Sequence, residues 1–292
     1  MAFKEALESG KFVITTEIGP LKGTDISEIV ELAKILKGKV DGINVTDQQS
    51  AVMRLGSLAV CSILVKKGVD PVFQMTCRDR NRIALQSDLL SASVLGIKNL
   101  LVISGDYPTL GDHIDAKDVY DLDTEQLIWT VNRMNQGYDL TGNELQGKTD
   151  FLVGAVVKPV SDTSESFELQ LTMMEKKISL GARFFQTQAV YDVEAFERFM
   201  KQAAQFKIPV LAGVIPLKSA GMARYMNKNV SGVFVPDHMI EDMVNAKDKT
   251  ATGLEIAARL LRELRELSQG VHIMAIGWEK KVPDILRLAD LG

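Results

Sequence analysis

The sequence predicts an α/β fold, a single (β/α)8 barrel of the TIM type, on three observations. Short apolar runs rich in β-branched residues alternate with stretches of helical periodicity. The alternation repeats eight times at about 30 residues per unit, the size of a strand-helix unit. The run that starts at Asn99 and ends at Ile103 is apolar in both alternation phases, as suits a parallel strand covered on both faces. Eight such units fit a closed barrel within 292 residues, since barrels of this kind take roughly 250. A doubly wound open sheet is the alternative, but no G-x-G-x-x-G follows the first strand. No Pro/Ser-rich linker divides the chain, so residues 1–292 read as one domain.

The elements follow in order. Residues 1–12, MAFKEALESGKF, lack an apolar h-region and read as a short lead-in, not a signal peptide. The first strand covers 12–18 and is ended by Gly19-Pro20. Asp25 with Glu28 resembles a capping box, and Ile29, Leu32, Ala33 and Leu36 then recur at helical spacing. The second strand, 40–46, closes on Val45-Thr46-Asp47; a helix over 52–67 is stopped by Gly68. The third strand, 71–77, runs into Arg78-Asp79-Arg80-Asn81, which reads as a surface loop with local ion pairs. A helix over 83–95 ends at Gly96, and the fourth run, from Asn99 to Ile103, breaks at Ser104-Gly105-Asp106.

The rhythm then stretches. A loop covers 107–116, a helix 123–134 and a Gly/Asn/Asp-rich loop 138–150. The fifth strand, 151–157, ends in Lys158-Pro159, and a helix follows over 167–180. The sixth strand is 183–188, followed by a helix over 193–206; the seventh, 208–215, ends at Pro216. Residues 218–269 hold two or three helices around Val233-Phe234-Val235-Pro236, the longest over 253–267. The eighth strand is 271–276 and the last helix 282–288.

Composition removes several function classes. The chain is 46% hydrophobic and 25% charged, an ordinary globular make-up. A net charge of -4 without a basic block gives nucleic acid no electrostatic footprint. No apolar run approaches the roughly 20 residues that span a bilayer. Two cysteines do not make a disulfide framework, so a reducing cytoplasm is the expected compartment. The three histidines, His113, His238 and His272, have no metal-ligand spacing, and no metal site is expected. Oligomeric state is not legible, although a homo-oligomer suits a barrel of this size.

In a barrel the C-terminal strand ends share one face, where ligands bind. That face would collect Glu17, Thr46-Asp47, Gln74-Thr76, Gly105-Asp106, Lys158 and Gln188. Each has a local reading as a turn, a helix cap or a solvated side chain. Together they are a carboxylate, a lysine, hydroxyls and amides without a nucleophile triad. Such a set suits a site that positions a polar organic ligand or cofactor and supplies one proton. A lyase using Lys158 as a Schiff-base lysine is a second reading.

The same residues carry a resemblance that runs through nearly the whole chain. Thr16-Glu17, Asn44-Val45-Thr46, Met75-Thr76-Cys77 and Ser104-Gly105-Asp106 are similar, in order and spacing, to strand ends of the methylenetetrahydrofolate reductase family. The segment from Lys177 to Ala182, Gln186-Thr187-Gln188 with Tyr191-Asp192, and the stretch from Gly213 to Pro216 extend the likeness. The resemblance implies a flavin-bearing barrel that converts 5,10-methylenetetrahydrofolate to 5-methyltetrahydrofolate. It implies Glu17 as the general acid and Asp106 beside flavin and pterin. Gln188 would hydrogen-bond the folate. Thr46, Thr76, Ile103, Ser104 and Gly105 would line the isoalloxazine ring. Tyr120 and Asp121 match a stretch on the flavin's ribityl or adenosine side, and Lys177 would approach the phosphates.

The chain departs from the family's bacterial pattern at several places. Gln74 stands where a histidine lies near the flavin, Lys158 where a tyrosine stands, and Gln170 in place of an aspartate near the adenosine. Tyr225-Met226 and Trp278-Glu279 differ as well. FAD and FMN both stay open, as do NAD(P)H and a partner subunit's reduced iron-sulfur centre as the electron donor. A folate- and flavin-binding relay subunit that needs a partner is a further reading.

Overall fold

Eight parallel strands close on themselves in strand order in the computed structural model, which describes residues 2–160 and 163–292. They are β1 (Val13–Ile18), β2 (Gly42–Val45), β3 (Pro71–Thr76), β4 (Asn99–Ile103), β5 (Leu152–Val157), β6 (Phe184–Ala189), β7 (Val210–Val214) and β8 (Gly270–Ile273). β1 pairs with both β2 and β8, which seals the ring. Around it lie α2 (Ser27–Leu36), α3 (Ser57–Lys66), α4 (Arg82–Val94), α5 (Thr124–Asn135), α6 (Ser164–Leu180), α7 (Val193–Ala203), α10 (Lys249–Arg265) and α11 (Val282–Leu288). The predicted barrel is the observed one.

Two separate hydrophobic clusters follow from strand alternation. Outward residues such as Ile43, Phe73, Leu100, Val102 and Phe185 pack against the helices. Inward residues Val13, Val72, Leu101, Leu152, Phe184 and Leu211 fill the lower barrel. Gly154 leaves room for the Phe184 ring, since a Cβ there would lie 2.2 Å from Phe184 Cζ.

The structure revises three local expectations. Residues Phe3–Glu8, read from the sequence only as part of a short lead-in, form a helix, α1. Its Phe3 is fully buried in the barrel floor, edge-on to Phe184 at 5.2 Å, and Asp70 Oδ2 accepts the Phe3 N–H at 2.7 Å. The helix expected over 52–67 begins only at Ser57, because residues 48, 50 and 51 take left-handed backbone angles. Asp25 forms no capping box with Glu28; its Oδ1 accepts from Ser27 N at 2.9 Å, ahead of a helix capped by Ile26. Between β7 and β8 lie three helices, α8 (Ala220–Asn229), α9 (Asp237–Asn245) and α10, within the expected two or three, and Val233–Pro236 lies between α8 and α9. The turn after α8 reaches the residue that follows β5, where Lys158 Nζ donates to Ser231 Oγ at 3.3 Å.

Candidate active site at the barrel mouth

The inward phase of each strand continues upward from the apolar floor, and above it the side chains turn polar. β1 places Thr15 and then Glu17; β2 places Asn44 and then Thr46; β6 places Gln186 and then Gln188. Of these, Glu17, Thr46, Gln186 and Gln188 line a cavity of about 200 Å³ that opens at the C-terminal strand ends. Its walls include Glu17, Thr46, Gln74, Thr76, Ile103, Gly105, Asp106 and Gln188, eight positions expected from sequence. Lys158, Lys177, Tyr120, Asp121 and Ser104 lie outside that wall.

Glu17 is 6% exposed and His272 on β8 is 3% exposed. His272 Nε2 lies 3.8 Å from Glu17 Oε2, and its Nδ1 is 2.9 Å from Thr15 Oγ1. Strand register explains the meeting, because Thr15 pairs with His272 across β1 and β8. The sequence does not mark this histidine as a site residue, because its spacing from the other two carries no metal signal. Its inward phase on the last strand was the usable clue.

Asp47 is a hub. It is 2% exposed and accepts from Thr76 N at 2.9 Å, Thr76 Oγ1 at 3.0 Å and Ser57 Oγ at 3.2 Å. Arg80 donates to it twice, at 2.8 and 3.0 Å. Burial pushes the Asp47 carboxyl up, but Arg80 and Thr76 more than offset this and hold it below its ordinary value.

Arg78 is only 2% exposed, so the Arg78-Asp79-Arg80 run is not a plain surface loop. Its guanidinium chelates Asp79 and donates to the carbonyls of Asp106 at 2.9 Å and Gln48 at 3.3 Å. A buried fork of five donors suits this work. The Asp106 carboxylate itself sits exposed at the rim. Gly105 has φ +90°, where a side chain is strained, and a Cβ there would meet Thr76 Cβ at 3.1 Å.

The remaining expected residues have these surroundings. Tyr120 donates to Gly105 O at 2.9 Å, steadying the strand end from outside the cavity. Asp121 forms a bidentate pair with Arg82 on the surface. Lys177 is buried behind β5, its ammonium on Val156 O at 3.1 Å; burial lowers its pKa, with Glu125 opposing. Ser104 is exposed beside Gly105.

The mouth fits a flat, hydrogen-bonding heterocycle such as a flavin or pterin. Thr46 lines the cavity, and its Oγ1 is buried with no hydrogen-bond partner among the described residues. A buried hydroxyl left unpaired is costly and calls for a ligand atom. Gly105 keeps the β4 end free of a side chain, and Ile103, Leu101, Val156 and Met274 supply apolar surface.

The comparisons point in one direction. The model of the methylenetetrahydrofolate reductase family matches residues 2–290. A probable methylenetetrahydrofolate reductase (NADPH) of Caenorhabditis elegans is 23% identical over 240 residues, 79% of this chain and 34% of that protein. Methylenetetrahydrofolate reductase 2 of Schizosaccharomyces pombe is 25% identical over 264 residues, 81% and 39% of the two chains. A 5,10-methylenetetrahydrofolate reductase of Pectobacterium carotovorum is 22% identical over 217 residues, 72% and 66%. The chain thus spans less than two fifths of the length of the first two relatives. Among solved structures, a Clostridium thermocellum protein described as binding two copies of 5-methyl-5,6,7,8-tetrahydrofolic acid superposes with a TM-score of 0.66. It is 17% identical, over 99% of this chain and 98% of its own, a likeness of fold.

Proposed function

This chain belongs to the methylenetetrahydrofolate reductase family, and from that premise and the mouth geometry we propose that it reduces 5,10-methylenetetrahydrofolate to 5-methyltetrahydrofolate. In this reading residues 1–292 act as one flavin- and folate-binding domain in the cytoplasm. The observation that carries it is the buried Glu17 carboxyl at the cavity wall, with His272 3.8 Å away. A flavin bound in the mouth, FAD or FMN, would supply the hydride. The folate class is supported further by the tetrahydrofolate bound by the Clostridium thermocellum protein.

The residues divide the work. Glu17 protonates N10 of the folate, the bond from N10 to the bridging carbon breaks, and that carbon becomes an electrophile on N5. The hydride then completes the methyl group, so two electrons and two protons are consumed per turnover. His272, backed by Thr15, is placed to return a proton to Glu17. Asp106 sits at the rim with its backbone carbonyl fixed by Arg78, where its carboxylate can hold the pterin and bias the field at the ring. Gln188 binds the folate from β6. Thr46, Gln74, Thr76, Ile103, Ser104 and Gly105 would hold the flavin ring. Tyr120 with Asp121 and Lys158 would support its side-chain end, and Lys177 would join them once its ammonium leaves Val156 O.

The electrons come from NAD(P)H or from a partner subunit's reduced iron-sulfur centre. The second source is favoured by the apolar side chains exposed on the connection after β4: Tyr107, Leu110 and Ile114 are each more than 60% exposed beside the mouth. The Schiff-base reading draws no support, since the cavity wall contains no lysine.

The test is anaerobic. The purified protein is reduced and mixed with methylenetetrahydrofolate, and the flavin absorbance is followed. Reoxidation with formation of 5-methyltetrahydrofolate is expected. Protein that carries flavin and stays reduced through many equivalents of folate defeats the proposal. Mass analysis of the extracted flavin distinguishes FAD from FMN.

A further inference from the structure

The barrel interior changes character at one level. Below it the filling is apolar, with Phe3, Leu101 and Phe184 fully or almost fully buried. Just above, Asn44 on β2 and Gln186 on β6 face each other across the barrel. Asn44 Nδ2 donates to Gln186 Oε1 at 2.8 Å, and Gln186 Nε2 donates to Asn44 Oδ1 at 3.2 Å. Both are buried, and the two strands are four apart in a ring of eight. Two apolar side chains would fill this level at less desolvation cost. Gln186 lines the mouth cavity, whereas Asn44 is not part of its wall.

A primary amide offers two N–H donors and two carbonyl lone pairs. The reciprocal pair uses one of each on both partners. Gln186 therefore keeps one N–H and one lone pair, on a side chain that its partner holds still. Such a group is preorganised to meet a polar ring edge. We propose that Gln186, held by Asn44, is a specificity contact of the mouth whose free carbonyl lone pair accepts from the N–H on the edge of a pyrimidinone ring, an edge common to pterins and flavins. The inference rests on the function proposed above and names a residue that adds to Gln188. A site built to hydrogen-bond such an edge penalises a ligand that lacks it far more than an apolar floor would.

The test compares the wild type with Gln186→Met and Asn44→Leu, both close in volume to the residues they replace. FMN, 3-methyl-FMN (its ring N–H blocked) and 5-methyltetrahydrofolate are titrated into each, with thermal unfolding as the check on folding. In the wild type, blocking the N–H weakens FMN about tenfold if the flavin is the ring read, equivalent to ~1.4 kcal/mol. Gln186→Met then erases that discrimination. If the pterin is the ring read, FMN binding is unchanged in Gln186→Met and 5-methyltetrahydrofolate weakens about tenfold. Asn44→Leu produces a smaller loss in the same arm. Unaltered affinities and discrimination in a folded Gln186→Met overturn the inference, and so do equal losses in both variants, which assign the effect to floor packing. Wild-type protein that binds neither ligand class removes the function and the inference together. A measurement independent of variants is the Gln186 side-chain amide signal in ¹⁵N spectra. It shifts on addition of the ligand read, and a signal indifferent to both ligands counts against the contact.

Discussion

Glu17 and Thr46 stand one strand apart at the mouth, and each predicts a separable phenotype. Glu17→Gln keeps the shape and the hydrogen-bonding reach but removes the proton. Flavin reduction by the donor should persist while folate turnover falls about 10²- to 10⁴-fold. Stopped-flow traces of the two half-reactions check this, and normal folate turnover would remove Glu17 from the acid role. Thr46→Val deletes a buried hydroxyl that has no partner among the described residues. Stability in urea should hold or rise, by up to about 1–3 kcal/mol, while affinity for the ring falls. A variant that binds flavin and folate as tightly as the wild type means that the hydroxyl meets no ligand. At this scale the sequence exposed the strand-end residues, since a polar group after an apolar run marks the barrel mouth. It concealed His272 and Arg78. An inward histidine within a strand looks like any core residue. A buried arginine is revealed only by the two carbonyls, of Gln48 and Asp106, that come to meet it.

The elements were legible where periodicity was long enough to read. α5 begins at the Asp123-Gln126 capping box, and α4 begins where Asn81 Oδ1 accepts from Ile83 N and Ala84 N. α1, with six residues, is too short to show a helical stripe. Its stability comes from tertiary burial of Phe3 and from the Asp70 carboxylate on its first N–H. Phe3→Ala should therefore cost about 3–5 kcal/mol of global stability. Because Phe3 lies in the floor cluster and not in the mouth wall, ligand affinity measured well below the unfolding midpoint should stay within about twofold. Denaturant titration and ligand binding on the same preparation separate the two. A loss of affinity matching the loss of stability would mean that the floor and the mouth move as one body.

Across the whole molecule, the Asp47 hub links the ends of β2 and β3 to α3 and to the loop carrying Arg80. Closure of a barrel brings these segments together, and no local pattern announces it. A carboxylate after a strand reads as a cap until its partners from two other units appear. The hub also gives the fold a defined response to acid. The folded Asp47 carboxyl titrates below its ordinary value, so the ionised form is the one the fold favours. Its stabilisation is fully present above the unfolded value, about pH 4, and is lost as pH falls through the lower folded value. Asp47→Asn removes that charge and leaves Arg80 facing a neutral amide, with Asp88 as its remaining carboxylate. About 3 kcal/mol of stability should be lost at neutral pH. The gap between wild type and variant should stay constant down to about pH 4 and narrow below it, as the wild-type carboxyl takes up its proton. Urea unfolding at a series of pH values reads both quantities. A gap that narrows instead between pH 8 and 6 would trace the coupling to another titrating group. A gap near zero throughout would mean that Arg80 finds equal company without Asp47. Because the same carboxylate holds Thr76 by its N–H and its hydroxyl, the ligand affinity of Asp47→Asn should fall together with its stability. Phe3→Ala, at the opposite end of the barrel, is expected to leave that affinity in place.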